Sequence, residues 1–303
     1  MRASDAPNGS DGPQIAFIIL TKDEEPNLPA CLNRLVGLPA GIFVIDCGST
    51  DRTVEIARSF GARVLVHPWI NYATQMNWAI QNIQTDAPWI MRLDADEILS
   101  PELRAAIRDR LPLLSETVSA AMVRLRTHFL GRWIRRGGMY PLWLLRIWRR
   151  GAAMCEERWM DEHMVLRSGQ VVRLQADLIH DNRKSLDEWI SKHIGYAARE
   201  ARDLCAAATS RGLSGQAGRK RWFKENLYQR VPLFLRAWLY WFYRYFLRLG
   251  FLDGPEGFAY HFLQALWYRS LVDAKVLESR STAARALHPA SALADSSLVR
   301  RSR

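Results

Sequence analysis

The chain has 303 residues, 49% of them hydrophobic and 24% charged, which excludes an unfolded polyelectrolyte and provides material for one large or two modest cores. A net charge of +11 predicts attraction to something anionic, such as nucleic acid, a phosphate-bearing molecule or an acidic membrane surface. The 12 Trp beside many Arg favour a water–lipid interface or a sugar site over a plain core. Cys31, Cys47, Cys155 and Cys205 are far apart with no C-x-x-C, so they read as buried reduced thiols rather than a metal or disulfide set.

Residues 1–13 are polar, contain Gly and Pro, and lack the apolar core of a signal peptide, so they are expected to be disordered and the chemistry to sit on the cytoplasmic side. Ile15 to Leu20 is a continuous apolar run, too short for a membrane span and suited to a buried parallel strand. Thr21-Lys22-Asp23-Glu24-Glu25 follows it directly, and Asn27 to Val36 has apolar residues at helical spacing. Ile42 to Asp46 is a second buried strand, Gly48 to Asp51 a turn, and Thr53 to Phe60 a helix that Gly61 closes. Arg63 to Val66 reads as a strand, Asn71 to Gln84 as a helix and Trp89 to Leu93 as a fourth strand. Such alternation implies a mainly parallel sheet with right-handed crossovers, whose ligands bind beyond the strands' carboxyl ends. Those ends carry Thr21 with Asp23 and Glu24, Asp46 with Asp51, and Asp94 with Asp96.

Strand residues at i and i+2 point the same way, so Asp94 and Asp96 are expected to project together as a hard-oxygen site for Mg²⁺ or Mn²⁺. The competing reading is an acidic turn capping the helix that starts near Ser100-Pro101. No G-x-G-x-x-G follows the first strand, and no G-x-x-x-x-G-K-[ST] occurs, which weighs against a dinucleotide oxidoreductase and a P-loop enzyme. An acid-lined crevice without a backbone phosphate cradle needs a divalent ion to neutralise a diphosphate. That points to a nucleotide-diphospho-sugar.

Ile18 to Glu25, Val44 to Thr53 and Leu93 to Glu97, in this order and each at a strand end, resemble glycosyltransferase family 2. The resemblance implies a GT-A fold, a Rossmann-like mixed and mainly parallel sheet flanked by helices. It also implies that Asp46 contacts the nucleotide base, with Thr21 and Glu24 near the uridine. Asp94 would then lie by the ribose and diphosphate, and Asp96 on the metal. The family pattern has Asn where Asp23 stands, and many relatives have Arg in the helix where this chain has Gln75, whose amide can still meet a base edge or else serve as a helix-surface group.

Residues 121–126 alternate as a strand would, and Leu142 to Trp148 returns as another. The Gly-, Arg- and Trp-rich stretch between them contains Arg132, Trp133, Arg135 and Arg136, whose guanidinium forks and aromatic face suit a diphosphate or a sugar acceptor. A solvated basic loop is the plainer reading. This block resembles the branch with lipopolysaccharide-core β-glucosyltransferases and exopolysaccharide transferases. An inverting transfer needs a carboxylate to take the acceptor's proton. The family places it in a short acidic motif that Asp161-Glu162 matches in position, so either acid is a candidate base. His163 is a candidate metal or diphosphate contact, or a histidine satisfied by its acidic neighbours, and His180 has a weaker claim.

Ser185 to Ala208 reads as a packing helix and the Gly-containing stretch after it as a linker. Arg219 to Arg248 holds eight Lys and Arg against one Glu. On a helix from Pro232 to Leu249, Arg236, Arg244 and Arg248 share one arc, and Trp238, Trp241, Phe242 and Phe246 lie opposite. That predicts an amphipathic helix lying in an anionic membrane interface with its basic face toward the headgroups, or else packed on the catalytic domain. Phe258 to Glu278 is expected to be a further aromatic helix after a turn at Gly250 to Gly257. The expected organisation is a disordered segment 1–13, a GT-A catalytic domain 14–212, a basic aromatic membrane-association region 213–280 and a disordered tail 281–303.

The function so expected is inverting, metal-assisted transfer of a sugar, UDP-linked by preference, to a lipid-linked, lipopolysaccharide or exopolysaccharide glycan. It would take place peripherally on the cytoplasmic face of a bacterial inner membrane, without nucleic acid. The alternatives are a polyprenyl-phosphate glycosyltransferase of the dolichol-phosphate-mannose-synthase type and a non-catalytic membrane-docking scaffold.

Overall fold

The computed structural model describes residues 15–38, 41–156, 163–209 and 231–287. The chain forms two compact units, residues 1–184 and 185–303, a division that falls ahead of the expected boundary at residue 212.

The first unit is built on a nine-stranded sheet. β1 (Ile15–Thr21), β2 (Ile42–Asp46), β3 (Arg63–Val66) and β4 (Trp89–Asp94) form its parallel half, in the order β3-β2-β1-β4. The helices between them are α1 (Leu28–Asn33), α2 (Thr53–Ser59) and α3 (Tyr72–Asn82). The apolar runs of these strands arise because both sheet faces are covered. Phe17, Ile19, Met91 and Leu93 pack with α1, α2 and α4 (Pro101–Asp109), while Ile18, Phe43, Ile45 and Ile90 pack with α3. This is the mainly parallel, helix-flanked α/β arrangement expected of the GT-A fold.

Beyond β4 the sheet becomes mixed. β8 (Leu142–Arg149) runs antiparallel between β4 and β6 (Val118–Phe129), and β11 (Gln170–Asp181) runs parallel to β6. β5 (Glu97–Leu99) closes the edge against β11, and β7 (Arg132–Trp133) turns back on β6. β9 (Ala153–Cys155) and β10 (Met164–Leu166) form a separate hairpin. The hairpin is fastened to α3 by the Asn77 amide, which donates to the Cys155 carbonyl at 3.0 Å and accepts from its N–H at 2.8 Å. Ser100 caps α4, accepting from the Leu103 N–H with Pro101 in the first turn. The acids of residues 94–97 are therefore not needed as the cap. Cys31 and Cys155 are buried and none of the four cysteines is in a disulfide; burial pushes the Cys31 thiol well up.

The second unit is helical: α5 (Leu186–Thr209), α6 (Leu235–Phe242), α7 (Gly254–His261) and α8 (Tyr268–Leu287). α6 continues as a π-helical turn at Tyr243–Leu247, and another at Phe262–Trp267 joins α7 to α8. Two expectations are corrected here. The helix placed from Phe258 begins at Gly254, and it persists to Leu287, inside the stretch 281–303 expected to be a disordered tail. The polarity of α6 is also reversed. Arg236 and Arg244 are buried and Trp238, Phe242 and Phe246 are exposed, because Arg236 donates to the Asp273 carboxylate of α8, which also accepts from the Phe234 N–H at 2.7 Å. The expected linker and the basic residues at 219–230 lie outside the described residues, as does segment 1–13.

Phe17 is fully buried on β1 in the core shared with α1, α2 and α4. Phe17→Ala is expected to lower unfolding free energy by about 3–5 kcal/mol, read from the urea midpoint and slope; a loss under about 1 kcal/mol would contradict this packing.

Candidate functional site

The sheet brings the expected acids to one edge, and their partners are specific. In β1–β2 pairing Thr21 stands opposite Asp46. Asp46 accepts from the Thr21 hydroxyl at 3.1 Å, from the Gly48 and Ser49 N–H groups at 2.8 Å each, and from the Ser49 hydroxyl. A carboxylate offers about four lone-pair sites, so Asp46 is occupied in shaping the loop after β2. Gly48, at φ +89, makes the turn that aims those N–H groups back.

The loop after β1 interlocks with it. The Asp23 carboxylate accepts from the Thr50 N–H at 2.7 Å, which holds it below the usual carboxylate range. The Glu24 N–H donates to the Thr53 hydroxyl at 2.7 Å, and the Glu25 N–H to Asp51 at 3.0 Å. The Glu24 carboxylate receives the Asn27 amide at 2.7 Å and the Lys184 ammonium at 2.8 Å. Gln75, 1% exposed, is not a helix-surface amide. It faces His67 Nδ1 at 2.7 Å and donates to the His67 carbonyl at 3.2 Å, which seats that imidazole on Trp78, centroids 4.3 Å apart. His67 follows β3 directly and its N–H donates to the Asp46 carbonyl, so it is a fourth strand-end group that motif reading passes over.

At the end of β4 the two aspartates part company. The strand stops at Asp94, Ala95 and Asp96 form a turn, and Glu97 opens β5. Strand alternation does not extend past Asp94, so the pleat itself does not align the two carboxylates. The Asp94 carboxylate accepts from the Tyr72 hydroxyl at 2.8 Å and from Arg146 at 3.2 Å, with Arg92 at 3.7 Å. The Arg92 guanidinium lies 4.1 Å over the Tyr72 ring. Arg146 also donates to Glu97, which in turn accepts from the Asp94 N–H at 2.9 Å.

Burial would raise the Asp94 carboxyl, but Arg146 and Arg92 outweigh it and hold the group well below the usual range. Burial pushes Glu97 the other way, upward, against the pull of Arg146. Tyr72, Arg92 and Arg146 are the functional residues that the motifs do not announce. The available signal was a lone arginine in the apolar run Leu142 to Trp148.

Asp96 faces His180 of β11, whose Nε2 stands 3.2 Å from its carboxylate. Burial lowers the His180 imidazole, but Asp96 more than reverses this and lifts it to about 9. Its Nδ1 is buried without a hydrogen-bond partner. The second expected ligand, His163, is exposed at the root of the β9–β10 hairpin, where its carbonyl accepts from the Glu156 N–H at 2.9 Å; the imidazole that meets Asp96 is that of His180. Asp161 and Glu162 lie outside the described residues.

No group of three or more His, Cys, Asp or Glu among the described residues forms a metal cage. A carboxylate such as Asp96 suits Mg²⁺ or Mn²⁺, which commonly take one or two protein carboxylates and complete their shell with substrate phosphates and water. In the Arg- and Trp-rich loop, the Trp133 ring lies against Arg126 and Arg135, 4.1 and 4.6 Å from its centroid, and edge-on to Tyr140. Arg132, Arg135 and Arg136 are exposed.

Removing one partner of a buried ion pair strands the other charge. Arg146→Met is therefore expected to cost about 3 kcal/mol of stability, and Arg146→Lys less, as measured by urea unfolding. Wild-type stability in Arg146→Met would refute this account of the cluster.

Residues 16–152 match the glycosyl transferase family 2 profile. Over 94 residues the chain is 38% identical to an uncharacterized glycosyltransferase of Rickettsia typhi, a match covering 31% of this chain and 32% of the relative. The chain thus spans about a third of the length of the curated relatives of this kind. A longer match, 27% identical over 262 residues, covers 84% of this chain and 90% of the lipopolysaccharide core biosynthesis glycosyltransferase LpsC of Rhizobium meliloti. Among solved structures, a mannosyltransferase from Pyrobaculum calidifontis in complex with GDP-Man and Mn²⁺ aligns over 92% of this chain and 80% of its own, at 14% identity and a TM-score of 0.44. The profile takes in the interlocked loops, the Asp94–Asp96 turn and Arg146, so over residues 16–152 the chain resembles glycosyl transferase family 2.

Proposed function

We propose that the chain transfers a sugar from a nucleotide-diphospho-sugar, UDP-linked by preference, to a lipid-linked or lipopolysaccharide-type glycan by a single inverting displacement. The observation that carries this reading is the division of labour at the end of β4. Asp94 is fixed by Tyr72, Arg92 and Arg146, while the Asp96 carboxylate, 13% exposed, faces His180. Asp94, ionised and held from three sides, is placed to accept from ribose hydroxyls. Asp96, with His180 beside it, would hold a divalent ion.

A bound Mg²⁺ or Mn²⁺ would supply positive charge to offset that building on the departing diphosphate. Asp161 or Glu162 takes the proton from the acceptor hydroxyl as it attacks the anomeric carbon. Arg132, Arg135 and Arg136, exposed beside Trp133, grip anionic groups of the diphosphate or acceptor. The acceptor class is supported by the 27% identity to LpsC over most of both chains. We further place the protein peripherally at the cytoplasmic face of the inner membrane. Two features support this: the basic run of residues 219–230 and the exposed aromatic side chains of α6. No described helix is long and apolar enough to cross a membrane.

Turnover of a panel of UDP- and GDP-sugars, with glycan or polyprenyl-phosphate acceptors supplied, tests the reading. Chelation with EDTA is expected to abolish transfer, and added Mn²⁺ or Mg²⁺ to restore it. Asp96→Ala should lower kcat/KM by about a thousandfold, and either Asp161→Asn or Glu162→Gln by about 10²–10⁴-fold. Full activity in all three variants would sink the assignment, and products formed only on bare polyprenyl phosphate would replace the glycan acceptor.

A further inference from the structure

The stretch Phe234–Phe262 in the helical unit is turned inside out. Among its described residues, thirteen large apolar side chains are exposed, including Trp238 at 55%, Leu239 at 53%, Phe242 at 49% and Phe246 at 43%. Its charges are withdrawn: Arg236, Arg244 and Asp253 are 6%, 4% and 4% exposed. Glu256 is half-buried and Arg248 alone is exposed among the charged groups of this stretch. Helical spacing puts Trp238, Phe242 and Phe246 on one stripe. The aromatic layer is continuous between the two helices, with Tyr245 5.3 Å from Trp241 and 5.6 Å from Phe258, centroid to centroid. A chain reversal at Leu249, φ +58, and Gly250 joins them.

A surface of this size with one exposed charge is far more apolar than an ordinary monomer surface. A protein partner would require the polar rim and hydrogen bonds that interfaces carry, and this stripe offers almost none. A bilayer requires no such groups. The helical hairpin satisfies its own backbone, and the Arg236 charge is already neutralised by Asp273. The run of residues 219–230 that leads into it carries five Lys and Arg against one Glu, complementary to anionic headgroups.

We infer that residues 234–262 form a helical wedge that enters the headgroup–acyl boundary of an anionic bilayer aromatic face first, with Arg236 and Arg244 turned into the protein. This rests on the membrane placement proposed above and changes its physical basis. Attachment is dominated by apolar insertion, and the flanking cations add steering rather than the anchor itself.

Flotation of the full chain with phosphatidylethanolamine–phosphatidylglycerol vesicles tests it. Binding is expected to survive about 0.5 M NaCl, where the Debye length is about 4 Å. Phe242→Asp combined with Phe246→Asp should cut the partition coefficient about a hundredfold. Binding that vanishes in that salt, or that the double variant leaves intact, overturns the wedge while leaving electrostatic docking. Absence of flotation at any salt sinks the membrane placement itself, and the wedge with it. A lipid-free dimer in light scattering that the double variant converts to monomer, without vesicle binding, assigns the face to a second copy and overturns the wedge too. Tryptophan quenching by acyl-chain bromolipids in the vesicle-bound wild type is the check that needs no variant. Quenching is the expected result, and unquenched bound protein contradicts insertion.

Discussion

Arg146 carries its guanidinium, 5% exposed, into the gap between Asp94 and Glu97. Three acids within four residues could not share this turn without it. Taking a carboxylate out of water costs several kcal/mol, and like charges at this spacing raise each other further. The guanidinium fork resolves the conflict unequally, leaving Asp94 firmly ionised while burial pushes Glu97 upward. Because Glu97 also accepts from the Asp94 N–H, one cation fixes both the charge state and the shape of the turn. Asp96 follows in that turn, and its carboxylate faces His180 Nε2 at 3.2 Å.

The same logic runs through the loops after β1 and β2. Asp23, Glu24, Asp46 and Asp51 look in the sequence like a row of ligands; in the fold Asp23, Asp46 and Asp51 accept from backbone N–H groups of the two loops, and Glu24 accepts from Asn27 and Lys184. A row of carboxylates beside a diphosphate would repel it. Hydrogen bonds from N–H and hydroxyl groups offset part of that charge and build a rim from short polar residues.

What the sequence made legible follows from where the information lies. The strands β1, β2 and β4 were readable because burial on both faces leaves an uninterrupted apolar run, and the acids were readable because they stand at the run's end. Arg146 and Tyr72 were not, since each meets Asp94 from another element, and no local pattern encodes a contact 52 or 22 residues away. β11 had a local signal, with Leu174, Ala176 and Leu178 buried at period two, but its polar alternates resemble a loop unless the pairing with β6 is known. β5 is three residues long, too short for any periodicity to register. The separation of Asp94 from Asp96 was hidden for a related reason: the sequence does not say where a strand stops and a turn begins.

The C-terminal helices show a different limit. A helical wheel divides α6 correctly into an arginine side and an aromatic side, but periodicity is blind to which side faces in. The usual rule buries the aromatics. Here Asp273, on α8, offers Arg236 a fully buried carboxylate and takes the Phe234 N–H as well, so the arginine has a satisfied place inside and the aromatic stripe is left out. Burying a guanidinium while exposing tryptophan and phenylalanine is costly in water on both counts. A fold that accepts this arrangement is stable in proportion to how much of the stripe leaves water, and that ties the energetics of the helical unit to the surface it meets.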